Sequence, residues 1–522
     1  MEELVPIGLV LVFSFLIRLS FVLGHTSDEW VTWWVIFQQQ GKWLHYDVPD
    51  SLIEGFFGYP KLQYYLISRF PQKLWGIIGN ISNIGYDCVA IVLVYYLSTI
   101  FFSNLETSEI IFGIRPAMWV ALLYSTTPIL LPVTGRLKGV KARTLGGLFS
   151  LLYFVTFGAA YVAGHSYLYA ATIIAGILAM LSSAFALQNI AFMCLCLSIF
   201  YFDWVPLSVF LITLLAGLGI PKVGINKILL HKLNHYRWYV RNYEGSPAEG
   251  RNSLRDILLL PKYLFVQPIK FLNLVFEKIT PVIALYSVPG LFILAYYIFT
   301  DPNSLGLLLS NDVTKYASIM VSGSIIVFIF TSIKPLLFLG QAERYFEYSA
   351  PFLNFLFVFY VIKTELSTNI LFLLLLFHLC VILVAFVYSM GYEIIEAFQP
   401  LSSIDKKNDL VHFLNNLDKD LRILTIPLKF SFALSHQMQN PKARFYHMFV
   451  SRDHEGFEYM EEDLVKYNWP RPDWLYFKQK YGVNMIVVLK KALRNAREHG
   501  LNYELNQKNC IFENTEYAIY RL

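Results

Sequence analysis

Charge is scarce in this sequence. Asp, Glu, Lys and Arg make up 15% of its 522 residues, against about 25% in soluble globular chains, and the mean hydropathy is +0.49. That shortage excludes an ordinary soluble enzyme and a disordered chain. Cysteine is scarce as well. Cys88, Cys194, Cys196, Cys380 and Cys510 are scattered, four of them in apolar runs. They show neither metal-ligand nor disulfide spacing and read as small buried hydrophobes. A formal net charge of +5 is too small for this length to point to nucleic acid.

Apolar runs are abundant instead. Eleven stretches approach the ~20 residues a spanning helix needs: 4–23, 75–101, 117–134, 145–164, 167–187, 189–202, 205–220, 281–299, 316–333, 346–362 and 366–391. Segments 189–202 and 205–220 are short and meet at Asp203-Trp204-Val205-Pro206, as a broken or re-entrant pair would. Arg18, near the end of the first stretch, is expected to snorkel to the interface. That stretch lacks the basic start and small-residue cleavage site of a signal peptide and is read as an anchor.

Charge returns late. From Glu393 onward, 35 of 130 residues are charged; the first 392 hold 44. The chain therefore divides into a membrane part, 1–392, and a soluble part, 393–522, expected outside the cytoplasm. The soluble part alternates helix (405–418, 458–467, 472–481, 490–499) with strand (421–427, 483–489) and closes on a hairpin, 509–512 with 517–520. That is a small α/β domain. It carries no Gly-rich phosphate loop and no nucleophile elbow, which makes it support or acceptor binding. With a cytoplasmic N-terminus, eleven crossings place loops 24–74, 135–144 and 334–346 outside with it. Segment 221–280 conflicts with this, because it holds ten Lys or Arg against four acids and basic loops favour the cytoplasm. Either a span is miscounted or the segment lies flat as amphipathic helices.

The first polar loop is too long for a turn and too polar for lipid, and such loops are usually functional. It opens His25-Thr26-Ser27-Asp28-Glu29, and Trp30, Trp33, Trp34 and Phe37 then share one helical face, which reads as an interfacial helix. Thr26-x-x-Glu29 also fits a capping box, which explains Glu29 better than Asp28. Gly58-Tyr59-Pro60-Lys61 sets a cation beside aromatics, where snorkelling is the plain alternative. Arg136, Lys138, Lys141 and Arg143 crowd nine residues, and Arg344 sits in Gln341-Ala342-Glu343-Arg344-Tyr345-Phe346-Glu347-Tyr348, where Glu343 or Glu347 could pair with it. Cations at a lipid head group would hold a phosphate and neutralise charge as the bond to it breaks. A carboxylate would take the acceptor's proton.

The run Ser27-Asp28-Glu29, the aromatic helix ending near Gly41-Lys42-Trp43, and Gly58-Tyr59-Pro60 resemble the first outer loop of GT-C glycosyltransferases. These are polytopic enzymes using polyprenyl- or dolichyl-phosphate sugars, here of the protein mannosyltransferase and aminoarabinose transferase type. The stretch 341–348 followed by Pro351 resembles a late outer loop of that group. The resemblance implies a mainly α polytopic fold of about 11 transmembrane helices with a C-terminal α/β soluble domain. It implies a multi-pass plasma-membrane enzyme moving a sugar, with inversion, from a polyprenyl-phosphate donor to a hydroxyl of a glycan, lipid or protein acceptor. Asp28 would be the general base, and Glu29 would orient acceptor or metal. Lys61 and Arg344, with Tyr59 and Tyr345 beside them, would hold the lipid phosphate, and Arg136, Lys138 and Arg143 are weaker candidates. No metal ligand is assigned; the third outer stretch, where relatives often keep an acid, has only bases, which leaves a Mg or Mn ion open. The geometric expectation is that the Asp28 carboxylate and the Arg344 guanidinium share a hollow at one leaflet. A lipid-linked sugar transporter or flippase, and a glycan polymerase or ligase, are the alternatives.

Overall fold

Each apolar stretch folds as helix, the one element that satisfies its own backbone in lipid. The computed structural model describes residues 4–22, 30–104, 111–131, 139–242, 251–301, 303–364, 366–397, 402–417, 420–452, 455–498 and 500–522. They form two compact units, one within 1–27, 73–220 and 250–393, the other within 28–72, 221–249 and 394–522.

The first unit is helical. Among the described residues six helices are long and apolar enough to span a bilayer, seven if one bent pair counts as a span. The expected eleven is therefore not reached. The reason is length: Leu168–Ser182 and Val205–Gly219 have 15 residues each, about 22 Å of helix against ~30 Å of hydrocarbon. Pro116–Thr126 stops after 11. The broken span also falls elsewhere than expected. Thr280–Ser287 and Pro289–Thr300 meet at 82°, because Pro289 turns its predecessor out of helical geometry. At Asp203 the chain turns between two separate helices, with Phe202 left-handed as the C-cap and the Asp203 carboxylate accepting from Val205 N at 3.0 Å and Tyr161 Oη at 2.7 Å. The helices of this unit buried over the largest share of their length are Pro116–Thr126 and Tyr345–Lys363, the latter covered on nearly every face. Arg18 does not snorkel. It is 1% exposed, donates to Asp87 Oδ2 at 2.8 Å and to the Ser125 carbonyl at 3.0 Å, and so is neutralised within the helix bundle. Of the cysteines, Cys194 and Cys196 are buried, Cys88 and Cys510 only partly, and Cys380 is exposed on an outward helix face.

The second unit is built from three stretches far apart in sequence. Its sheet has strands β1 (Leu421–Ile426), β2 (Ala443–Phe445), β5 (Met485–Leu489), β6 (Cys510–Glu513) and β7 (Tyr517–Arg521) in the order β2-β1-β5-β7-β6. β1 runs parallel to β2 and β5; β7 is antiparallel to β5 and β6. A two-stranded ribbon, β3 (Leu464–Lys466) with β4 (Trp469–Pro470), stands apart. The first loop finishes the sheet's β2 edge: Phe445 N donates to the Asp50 carbonyl and Leu52 N to the Phe445 carbonyl, both at 2.8 Å. Phe56 and Ser451 exchange two more backbone bonds. Gly55 is required there, since a Cβ would lie 2.3 Å from the Ser451 carbonyl oxygen.

The basic stretch 221–241 belongs to this unit. Its helix, Ile225–Arg241, packs so tightly on the first loop that a Cβ at Gly58 would meet the Lys227 carbonyl at 2.3 Å. Lys227 pairs with Asp47 at 2.6 Å, Arg241 with Glu461 at 3.4 Å, and His231 bonds Ser451 at 2.9 Å. Two of its bases, Lys227 and Arg241, are thus matched to acids of the loop and tail, and the rest of the segment 221–280, from residue 250 on, belongs to the first unit. First loop, basic helix and tail form one compact unit.

Candidate functional site

The aromatic helix of the first loop, Trp30–Gln39, turns its strongest ring inward rather than along a bilayer surface. Trp34 is fully buried among Phe57, Phe432 and His447, with ring centroids at 5.2, 4.9 and 4.8 Å. Its indole donates to Asp50 Oδ2 at 2.9 Å, and Gln38 donates to Asp50 Oδ1 at 3.0 Å. Burial works to raise the Asp50 carboxyl, but His447, 3.5 Å away, together with the hydrogen bonds from Trp34 and the backbone holds the group below its ordinary value. His447 bonds Ser431 at 3.0 Å through its other nitrogen. His447 and Ser431 are enclosed and Asp50 is partly so, and the series ties loop to tail.

Lys61 caps the helix Leu62–Ser68 and is 1% exposed. Its Nζ donates to the His45 carbonyl at 2.6 Å and lies 4.9 Å from the Tyr46 ring centroid. It is therefore not snorkelled. Burial pushes its pKa down to about 7, with Asp47 opposing. Tyr59 is half-exposed beside Phe57. Because the unfolded chain holds the lysine proton to about pH 10.5 and the folded chain releases it near 7, the unfolded state binds more protons between these values. Folding should gain as pH rises through that window. Thermal melts of wild type and Lys61→Met from pH 6 to 10 should show wild type gaining on the variant; parallel curves would mean that Lys61 does not titrate there.

In the first unit, the turn before helix Arg143–Tyr161 is pinned to helix Trp75–Asn104. Gly139 N donates to Asn80 Oδ1 at 2.9 Å, Asn83 Nδ2 to the Gly139 carbonyl at 2.8 Å, and Thr144 to Asn83 at 2.6 Å. This aims Arg143 at Glu347, a buried two-pronged pair with Nε to Oε2 at 3.0 Å and Nη2 to Oε1. Arg251 faces Glu343 at 3.6 Å. The two acids flanking Arg344 thus meet other arginines. Arg344 is the N-cap of helix Tyr345–Lys363. Its guanidinium lies 4.2 Å over the Phe185 ring, and its Nε is buried without a hydrogen-bond partner among the described residues. Tyr345 is fully buried; Gln188 donates to its hydroxyl at 2.6 Å.

Asp28, Glu29, Arg136 and Lys138 lie outside the described residues, and with them the expected Asp28–Arg344 hollow. Among the described residues, no three His, Cys, Asp or Glu side chains gather as a metal site would need. Sequence reasoning missed Arg251, Phe185 and the Arg18–Asp87 pair. A signal for the last existed: single opposite charges inside two apolar spans are costly in lipid unless joined.

No protein-family model matches this chain, and no curated protein matches it in sequence. Solved structures do match. ArnT from Cupriavidus metallidurans in the apo state has a TM-score of 0.51 at 11% identity, over 100% of this chain and 98% of that one. The same protein bound to undecaprenyl phosphate gives 0.49 at 12% identity over the same shares. The apo match shows a common fold: a multi-pass helical membrane part and a small sheet near the C-terminus.

Proposed function

We propose that the chain is an integral-membrane glycosyltransferase of the GT-C type. It moves one sugar, with inversion, from a polyprenyl-phosphate donor to a hydroxyl on a glycan, lipid or protein acceptor at the non-cytoplasmic face of the plasma membrane. The observation that carries this is Arg344. A guanidinium whose neighbouring acids are already matched, fixed over an aromatic ring at the start of a 19-residue helix, is prepared for an anion. The helix dipole adds to that attraction, and the fork suits a phosphate. The fold shared with ArnT, whose second structure holds undecaprenyl phosphate, supports the same reading.

In the reaction, Asp28 takes the acceptor hydroxyl proton as the oxygen attacks the anomeric carbon. The bond from that carbon to the lipid phosphate breaks, and its electron pair stays on the phosphate oxygen. Arg344 stabilises the negative charge that builds there. Glu29 orients the acceptor, and a Mg or Mn ion would add positive charge. Lys61 serves in this proposal as a second candidate cation for the lipid phosphate.

The test is transfer from radiolabelled polyprenyl-phosphate sugars in nanodiscs. Arg344→Ala should raise KM for the lipid donor about 10- to 100-fold, as loss of a charged hydrogen bond of about 1.5–3 kcal/mol implies. Arg344→Lys should recover part of it, keeping charge without the fork. An unchanged donor KM in both variants, or no product from any donor with wild type, would overturn the assignment; a transporter makes none.

A further inference from the structure

In the second unit a groove of about 1080 Å³ opens between the helix Ser402–Asn415 and the turn 436–442, with Phe37 of the first loop on its wall. We propose that this groove binds a neutral, hydroxyl-rich glycan and is the acceptor subsite; it rests on the transferase reading above.

Its chemistry selects the ligand. Among the described residues the lining holds Asn408, Asn415, Asn416, Gln437, Gln439 and Asn440, with no acid and one lysine, Lys442. Amides offer donor and acceptor side by side, matching a hydroxyl that is both, and so little charge gives no hold on a polyanion or polycation. Some of these amides shape the wall. Asn415 Oδ1 accepts from Gln439 N at 2.9 Å and Asn440 N at 3.3 Å, and Asn440 Nδ2 donates to the Leu417 carbonyl at 3.1 Å. Gln437 also lines the space; its Oε1 is enclosed and has no hydrogen-bond partner among the described residues, and it meets a ligand hydroxyl once the side chain turns outward. His436 donates through Nδ1 to the Phe432 carbonyl at 2.9 Å, and burial keeps it neutral, its pKa near 4. Its Nε2 is then an acceptor for a hydroxyl. Phe37 and Met438 supply apolar surface for the C–H face of a sugar ring.

A peptide is the less suitable occupant. Extended peptides bind by adding to a sheet edge, and the edge beside this groove, β2, is already paired with residues 50–52.

The experiment uses the full chain in nanodiscs with no lipid donor present. Maltohexaose, mannohexaose, chitohexaose and a neutral hexapeptide are the probes, read by saturation-transfer NMR and calorimetry. At least one oligosaccharide should bind, the peptide should not, and Gln437→Ala should weaken binding about three- to tenfold, the loss of one neutral hydrogen bond. Exposed Gln439→Ala serves as a second variant if Gln437→Ala misfolds. Arg344→Ala should leave oligosaccharide binding unchanged. The proposal falls if none of the saccharides binds wild type, if both glutamine variants bind as wild type does, or if the peptide binds with the same residue dependence. Binding without transfer would sink the transferase reading and leave the groove standing; transfer without groove dependence would do the reverse.

Discussion

Asp28→Asn should lower kcat for sugar transfer about 10²- to 10⁴-fold, the span a positioned general base contributes, while lipid-donor binding and the thermal midpoint stay at wild-type values. The substitution separates two roles that the sequence leaves entangled. Asn caps a helix as well as Asp does, so a purely structural residue 28 would tolerate the change without loss. A base would not, because the amide cannot accept the proton of the attacking hydroxyl at neutral pH. The pH profile adds a second readout: kcat/KM of wild type should fall as the carboxylate is protonated in acid, and the variant's residual rate should lack that limb. Glu29→Gln in parallel distinguishes capping from acceptor or metal orientation, since only the latter changes KM for acceptor or dependence on added Mg. Full transfer by a folded Asp28→Asn protein would end the proposed chemistry.

The second large effect concerns stability. Arg143→Ala leaves the Glu347 carboxylate enclosed with its two-pronged partner gone, and stripping one member of a buried pair costs about 3–5 kcal/mol. The thermal midpoint in detergent should drop by several degrees, or expression should fail. Arg143→Met combined with Glu347→Leu should recover most of the loss, because an apolar pair of similar volume carries no uncompensated charge. The double variant also decides what Arg143 is for. If it only holds helix Arg143–Tyr161 against helix Tyr345–Lys363, the restored protein keeps transfer activity. If it meets the lipid phosphate, activity stays lost while stability returns. Arg143→Ala with unchanged stability would refute the pairing.

Much of the fold could be read from local pattern. The helices at 75–104, 143–161, 312–332, 345–363 and 369–397 follow from apolar length alone, and β1, β5 and the β6–β7 hairpin follow from runs of branched residues between turns. Three residues of β2 and the short helix Phe430–Ser435 carry no such run; they are fixed by their neighbours. Span count failed where 15 apolar residues look like a crossing but fall short of one. The candidate site was less legible, because its chemistry depends on pairing at long range. That Glu347 belongs to Arg143 and Glu343 to Arg251, and not to Arg344 between them, is decided by residues 204 and 92 positions away. Likewise the inward turn of Trp34 requires Phe432 and His447, which nothing in residues 30–37 announces.

The strand edge at residues 443–445 has a consequence for biogenesis. Its outer partner, residues 50–52, emerges from the ribosome hundreds of residues earlier, and membrane insertion of the intervening helices separates the two events. The second unit therefore cannot close until synthesis is nearly complete, and until then the early loop must wait with Trp34 uncovered. A fragment begun at residue 394 would carry an open edge of the kind that recruits other chains. Such a fragment should self-associate, and adding residues 28–72 in trans should suppress it.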